Sequence, residues 1–79
     1  MPSNSQPSGW ERLAPGLPVR SISGRNLGVI GEVRDGAFRV DFGDDSSQVW
    51  LMADALFTIE GDMVSLICER NGVYRFAAG

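Results

Sequence analysis

From Leu17 onward, apolar and polar residues alternate with a period of two in short runs. The clearest run is Ala37–Phe42, in which three apolar residues alternate with Arg39 and Asp41 on the opposite face. This period is the pattern of a β-strand with one buried face. The pattern therefore predicts strands for most of the chain.

Turn residues separate these runs at intervals of about 8–12 residues, a spacing typical of small barrels and sandwiches. Asp35-Gly36 and Asn71-Gly72 have the composition of tight hairpin turns, which need backbone conformations that glycine and asparagine adopt readily. The second turn is predicted to lead into a last strand at residues 73–76. We therefore predict an all-β fold, a small antiparallel barrel of five to six strands, with one short helical turn near residues 53–56.

The 79 residues are enough for one domain. Residues 1–9 are rich in Ser, Pro, Asn and Gln, a composition typical of a disordered tail. Residues 10–79 are predicted to form the single β-barrel domain. A core of this size supplies only about 3–5 kcal/mol of stability without a disulfide or a metal, so oligomerisation is a common remedy.

The charge pattern argues against nucleic acid as a partner. The net charge is −3, and all seven basic residues are scattered arginines. Duplex binders instead gain affinity from clustered cations that displace the counterions of the phosphates. A barrel that contacts RNA would need Arg20, Arg25, Arg39 and Arg75 on one face, and this alternative stays open at this point.

The sequence contains few of the residues that catalysis and metal binding require. The chain has no His and a single cysteine, Cys68, so Ser-His-Asp and Cys-His catalysis and cysteine-cluster metal sites are excluded. We therefore expect no enzyme activity and no cofactor. The N-terminus has no apolar run, and no stretch approaches the ~20 residues that span a bilayer. We accordingly expect no membrane insertion and a cytoplasmic location.

One series of motifs runs through about three quarters of the chain: a strand, a glycine turn, Gly-x-Ile and then Asp-Gly-x-Phe-x-Val. It comprises Pro18-Val19-Arg20-Ser21, Gly24-Arg25-Asn26-Leu27-Gly28, Ile30, Val33, Asp35-Gly36, Phe38, Val40, Trp50-Leu51, Ile59-Glu60-Gly61-Asp62, Val64 and Leu66. This order resembles the PRC-barrel family of small β-barrels, and Tudor-like and other SH3-like barrels share the same rhythm. The PRC-barrel resemblance implies a non-catalytic domain that binds other proteins.

Several strands are apolar on both faces, although a barrel this small has one interior. Some large apolar side chains must then face outward, where contiguous apolar surface usually marks an interface. The candidates for binding a protein partner or a second copy are Trp50, Ile30, Met52, Met63 and Ile67. The function predicted first is therefore a protein-interaction or scaffold module.

The alternative is a Tudor-like reader of cationic side chains. In that arrangement Trp50, Phe42 and Tyr74 would converge at one end of the barrel, with the acidic loop at residues 41–45 beside them. Aromatic faces attract a cation by roughly 0.5–2 kcal/mol per ring. The two hypotheses place Trp50 in different surroundings, so the position of Trp50 in the fold distinguishes between them.

Overall fold

The alternating runs form strands in the computed structural model, which describes residues 10–78. Within that range the strands are β1 (Pro18–Arg20), β2 (Asn26–Arg34), β3 (Ala37–Phe42), β4 (Gln48–Met52), β5 (Leu56–Glu60) and β6 (Met63–Leu66). Three short 3-10 helices complete the described chain: an N-terminal one at Trp10–Arg12, a middle one at Ala53–Ala55 and a C-terminal one at Arg70–Phe76. The middle helix confirms the predicted turn near residues 53–56. The tail predicted at residues 1–9 lies outside the described residues.

The six strands form one sheet in the order β4-β3-β2-β1-β6-β5, curled into a half-barrel. Neighbouring strands are antiparallel except β1 and β6, which run parallel, with Val19 beside Val64. The prediction of a closed, purely antiparallel barrel is therefore wrong on both points. Alternation shows which face a residue occupies, but it carries no signal for the direction of a strand that pairs across some 45 residues of sequence.

The concave side of the sheet holds the core. Phe38 on β3 is paired with Val33 on β2 and Leu51 on β4, and the side chains of Phe38 and Leu51 are fully buried. Trp10 packs its ring edge-on against Phe38, with ring centroids 6.0 Å apart. Leu13 is buried beside it in the same cluster. The segment before β1 therefore covers part of the core.

The C-terminal segment differs from its prediction. Residues 73–76 were predicted as a strand, which is wrong, because Arg70–Phe76 forms a 3-10 helix with Val73 fully buried. Gly72 does not have the positive φ that the predicted hairpin turn requires. The chain then reaches the outer edge of β4, where the Ala78 N–H donates to the Trp50 carbonyl at 2.8 Å. This contact partly covers the edge of β4, whereas β5 ends the sheet on the other side.

Candidate functional site

The five predicted partner-binding residues do not form one patch. Trp50 and Met52 lie on the outer face of β4, and Met63 lies on the outer face of β6, with three strands between them in the sheet order. Ile67 follows β6 and is 44% exposed. Ile30 is paired with Val40 in the core and is only 1% exposed, so it offers no surface to a partner.

Trp50 is half-buried because an arginine covers its ring. The guanidinium carbon of Arg34 lies 4.5 Å from the ring centroid of Trp50. Glu32 holds Arg34 in turn through an ion pair of 3.2 Å. This cover makes Trp50 a poor centre for an apolar interface. Trp50 also pairs with Arg39, three residues from Phe42, so it lies away from the end of β3 where the predicted aromatic cage would form.

An exposed apolar row instead crosses three neighbouring segments at one end of the half-barrel. It consists of Ile22, Phe57 and Ile67, which are 52%, 60% and 44% exposed. The Ile67 N–H donates to the Ala55 carbonyl at 2.8 Å, and the Ile22 N–H donates to the Cys68 carbonyl at 3.2 Å. These backbone bonds join the ends of β5, β6 and β1, so the three exposed residues lie on adjacent segments.

Sequence reasoning found only Ile67 of this row. Phe57 lies at a bulge, where the register between β5 and β6 shifts after Leu56. A bulge interrupts simple alternation, so the pattern alone does not show which way such a side chain points. Ile22 lies just beyond β1, which ends at Arg20. In the sequence Ile22 is an isolated apolar residue between two serines, and this is the signal that could have identified it as exposed.

A second cluster surrounds the side chain of Arg70. Its guanidinium carbon lies 3.9 Å from the Phe42 ring centroid and 5.7 Å from that of Tyr74. Arg70 Nε donates to Asp44 at 3.0 Å, and an Arg70 terminal nitrogen lies 3.5 Å from Asp45. We call this cluster the arginine site. Its two aromatic rings were predicted to enclose a cation from another molecule, and in this structure they meet around a cation of the same chain.

The electrostatics of the arginine site stabilise both charges. Hydrogen bonds from the Ser47 side chain and backbone hold the pKa of Asp45 below its ordinary value, with a smaller contribution from Arg70. The hydrogen bond to the Tyr74 hydroxyl raises the pKa of Arg70, and Asp44 adds to this effect. The guanidinium of Arg70 therefore stays charged, and the carboxylate of Asp45 stays ionised below its ordinary pKa.

Two open clefts lie beside the arginine site and share Arg25 and Arg70 in their walls. The larger, of about 620 Å³, runs over β2 at Leu27–Val29 and reaches Asp44. The smaller, of about 490 Å³, lies between Ser23 and Asn71. Arg25 and Arg70 thus lie between the two depressions.

Two of the four arginines needed for an RNA surface lie far apart on the sheet, and the other two, Arg25 and Arg75, lie outside the strands. Arg20 is paired with Asn26 at the start of β2, and Arg39 is paired with Glu32 near its end. Six residues of strand separate these positions, which is about 20 Å. Arg39 is also ion-paired with Asp41 at 2.9 Å. This arrangement gives no support to the RNA-contacting alternative.

Cys68 is partly buried, and burial together with the nearby Glu69 carboxylate raises the pKa of its thiol. The thiol therefore stays protonated at neutral pH and is a weak nucleophile. Among residues 10–78, no three His, Cys, Asp or Glu side chains are grouped to hold a metal ion. That part of the chain also contains no helix long and apolar enough to cross a membrane.

The fold and these surfaces define a small half-barrel β domain with an exposed apolar row and an arginine site filled from within. Comparison with known proteins finds no matching family model, no similar curated protein and no similar solved structure.

Two exposed carboxylates predict how stability depends on pH. Folding lowers the pKa of Asp45 from 3.8 and that of Glu69 from 4.5, chiefly through hydrogen bonds from Ser47 and Ser23 respectively. A depressed carboxyl pKa stabilises the fold above its unfolded value, and the stabilisation is lost as pH falls through the folded value. We therefore expect the melting temperature to decrease as pH falls below about 4.

Circular dichroism of the wild type and of Asp45→Asn across this pH range tests the expectation. Asparagine keeps an oxygen for the Ser47 hydrogen bonds but does not titrate, so the variant should lose less stability on acidification. An unchanged pH profile in the variant would contradict the role given to Asp45.

Proposed function

We propose that this domain is a non-catalytic interaction module that binds a second copy of itself through the apolar row and the adjoining edge of β5. The observation that carries the proposal is the exposure of three large apolar side chains on adjacent segments. Exposed apolar surface that is contiguous usually marks an interface on a small domain. The PRC-barrel-like order of residues supports the same class of role, which is protein binding without catalysis.

The edge of β5 suits a second copy. Among residues 10–78, β5 pairs with β6 on one side and with no strand on the other. Its sequence, Leu56–Glu60, contains none of the lysine or proline residues that commonly protect an exposed edge. An unprotected edge beside an apolar row offers backbone hydrogen bonds and apolar contact to the same partner.

A symmetric pairing of two β5 strands is self-complementary. In an antiparallel register centred on Thr58, the exposed Phe57 side chains of both copies lie on the outer face, whereas Ile59 stays in the core of each copy. The same register places Glu60 opposite Leu56, so the two glutamates lie at opposite ends of the strand pair and do not repel each other. A two-fold dimer needs this kind of patch, since each copy presents the same surface. The small core also makes the monomer only marginally stable, so burial of further apolar surface in a dimer would stabilise it.

The proposal predicts concentration-dependent association of the purified chain. Ile67→Glu and Phe57→Glu each place a charge in the centre of the proposed interface, and we expect each to weaken association by at least about tenfold. Sedimentation equilibrium over a range of concentrations measures this effect. Both side chains are exposed, so the melting temperature of the monomer should change little.

Val29→Glu is the matched control. Val29 is 41% exposed on the outer face of β2, away from the apolar row, and a glutamate there should leave association unchanged. A wild-type chain that stays monomeric at all accessible concentrations would overturn self-binding. Equal weakening by all three variants would show that net charge, and not this surface, governs association.

A further inference from the structure

The guanidinium of Arg70 has a partner on each of its nitrogens. Nε donates to Asp44 at 3.0 Å, one terminal nitrogen donates to the Tyr74 hydroxyl at 3.3 Å, and the other donates to Ser47 Oγ at 3.0 Å. The face of the group rests on the ring of Phe42. This combination of an aromatic face and in-plane acceptors matches the planar fork of a guanidinium and does not match a compact ammonium.

The groups around Arg70 are held in place by other contacts. Phe42 is a core residue of β3 and is 2% exposed. Asp45 Oδ1 accepts hydrogen bonds from the Ser47 N–H at 3.0 Å and from its hydroxyl at 2.6 Å, which fixes the loop without help from Arg70. Tyr74 follows the fully buried Val73 on the C-terminal helix. Phe42 and the Asp45–Ser47 turn are therefore held in place independently of the side chain that fills the site.

We propose that the arginine site is a guanidinium-binding site that Arg70 occupies from within the same chain, and that an arginine side chain from another molecule binds there when Arg70 is withdrawn. The site lies away from the apolar row, so this inference does not depend on self-association. Arg70 also lines both neighbouring clefts, which offer space beside the site for the residues flanking an incoming arginine.

Competition within the chain explains why the site is closed in the wild type. A tethered group acts at an effective concentration in the millimolar range or above, so a free guanidinium of similar affinity cannot displace it at lower concentration. Removing the Arg70 side chain removes this competitor and leaves Phe42, Asp44 and Tyr74 in place. The inference is therefore tested by measuring whether a small guanidinium compound binds to the emptied site.

The test is a titration of Arg70→Ala with methylguanidinium at constant ionic strength. We expect saturable shifts of the Phe42 and Tyr74 ring protons in NMR spectra and a rise in melting temperature. Binding to the wild type should be weaker by at least about tenfold, because Arg70 competes. If Arg70→Ala is unfolded alone, methylguanidinium should restore its circular dichroism spectrum, since a ligand that binds only the folded state stabilises it.

Two controls separate this site from general cation binding. Methylammonium should bind Arg70→Ala more weakly than methylguanidinium, and adding Asp44→Asn to that variant should weaken methylguanidinium binding. Arg39→Ala is the matched variant, because Arg39 is also ion-paired with two carboxylates, those of Glu32 and Asp41, but within residues 10–78 no aromatic ring stacks on its guanidinium. This variant should gain no binding. Absence of saturable binding to Arg70→Ala, or equal binding to the wild type, would overturn the inference.

Discussion

Replacing Gly28 with alanine is expected to lower the free energy of unfolding by roughly 3 kcal/mol, from the combined cost of overpacking and backbone strain. A Cβ at this position would overlap the carbonyl oxygen of Asp41 and lie 3.0 Å from the Cα of Phe42. Both atoms belong to the backbone of β3, which pairs with β2 at Gly28 and cannot move without breaking the sheet. The φ of Gly28, +156°, adds to the strain.

The other glycines provide matched controls for this effect. Gly36 has a φ of +75° but no atom within 4 Å of a Cβ, so Gly36→Ala should cost only about 1 kcal/mol for the backbone conformation. At Gly31 the new Cβ would lie 2.5 Å from the side-chain ends of Arg39 and Asp41. These can swing aside, and the loss should be limited to a partly exposed ion pair worth about 0.2–1 kcal/mol.

Urea unfolding at one protein concentration, analysed as a two-state transition, measures the three variants. The expected order of destabilisation is Gly28→Ala first, with the other two well below it. Similar losses of unfolding free energy at all three positions would show that the backbone freedom of glycine determines the destabilisation. The close approach of β2 and β3 would then not be its cause.

Much of the fold is predictable because most strands pair with a strand that is next to them in the sequence. Ala37–Phe42 matches its predicted bounds, since it has a simple alternation bounded by turn residues. The C-terminal helix was missed because Asn71-Gly72 suits both a hairpin turn and a helical turn. Only contact with the rest of the fold, which buries Val73, decides between them.

The candidate sites were harder to predict because they join distant parts of the chain. Trp50 does face outward, but the arginine that covers it is sixteen positions earlier, and nothing in the spacing pairs them. The arginine site forms only when the C-terminal helix brings Arg70 and Tyr74 to the loop after Phe42. A prediction that treated residues 73–76 as a strand could not place Arg70 between two rings.

Replacing Phe38 with alanine is expected to unfold the domain or leave it barely folded. Phe38 is fully buried on β3 and packs against Trp10. Truncation of such a side chain costs about 3–5 kcal/mol, through lost transfer free energy and the cavity that remains. A core of this size supplies about the same amount. Circular dichroism and urea unfolding measure the loss.

Phe57→Ala is the matched control, because it removes the same side chain from a strand position that is 60% exposed. It should change the stability of the monomer by no more than about 0.5 kcal/mol, while weakening the proposed self-association. The pair of variants therefore tests which face of the sheet is inside. If the two substitutions cost the same stability, Phe57 is part of the core, and the apolar row loses the residue that joins it to the edge of β5.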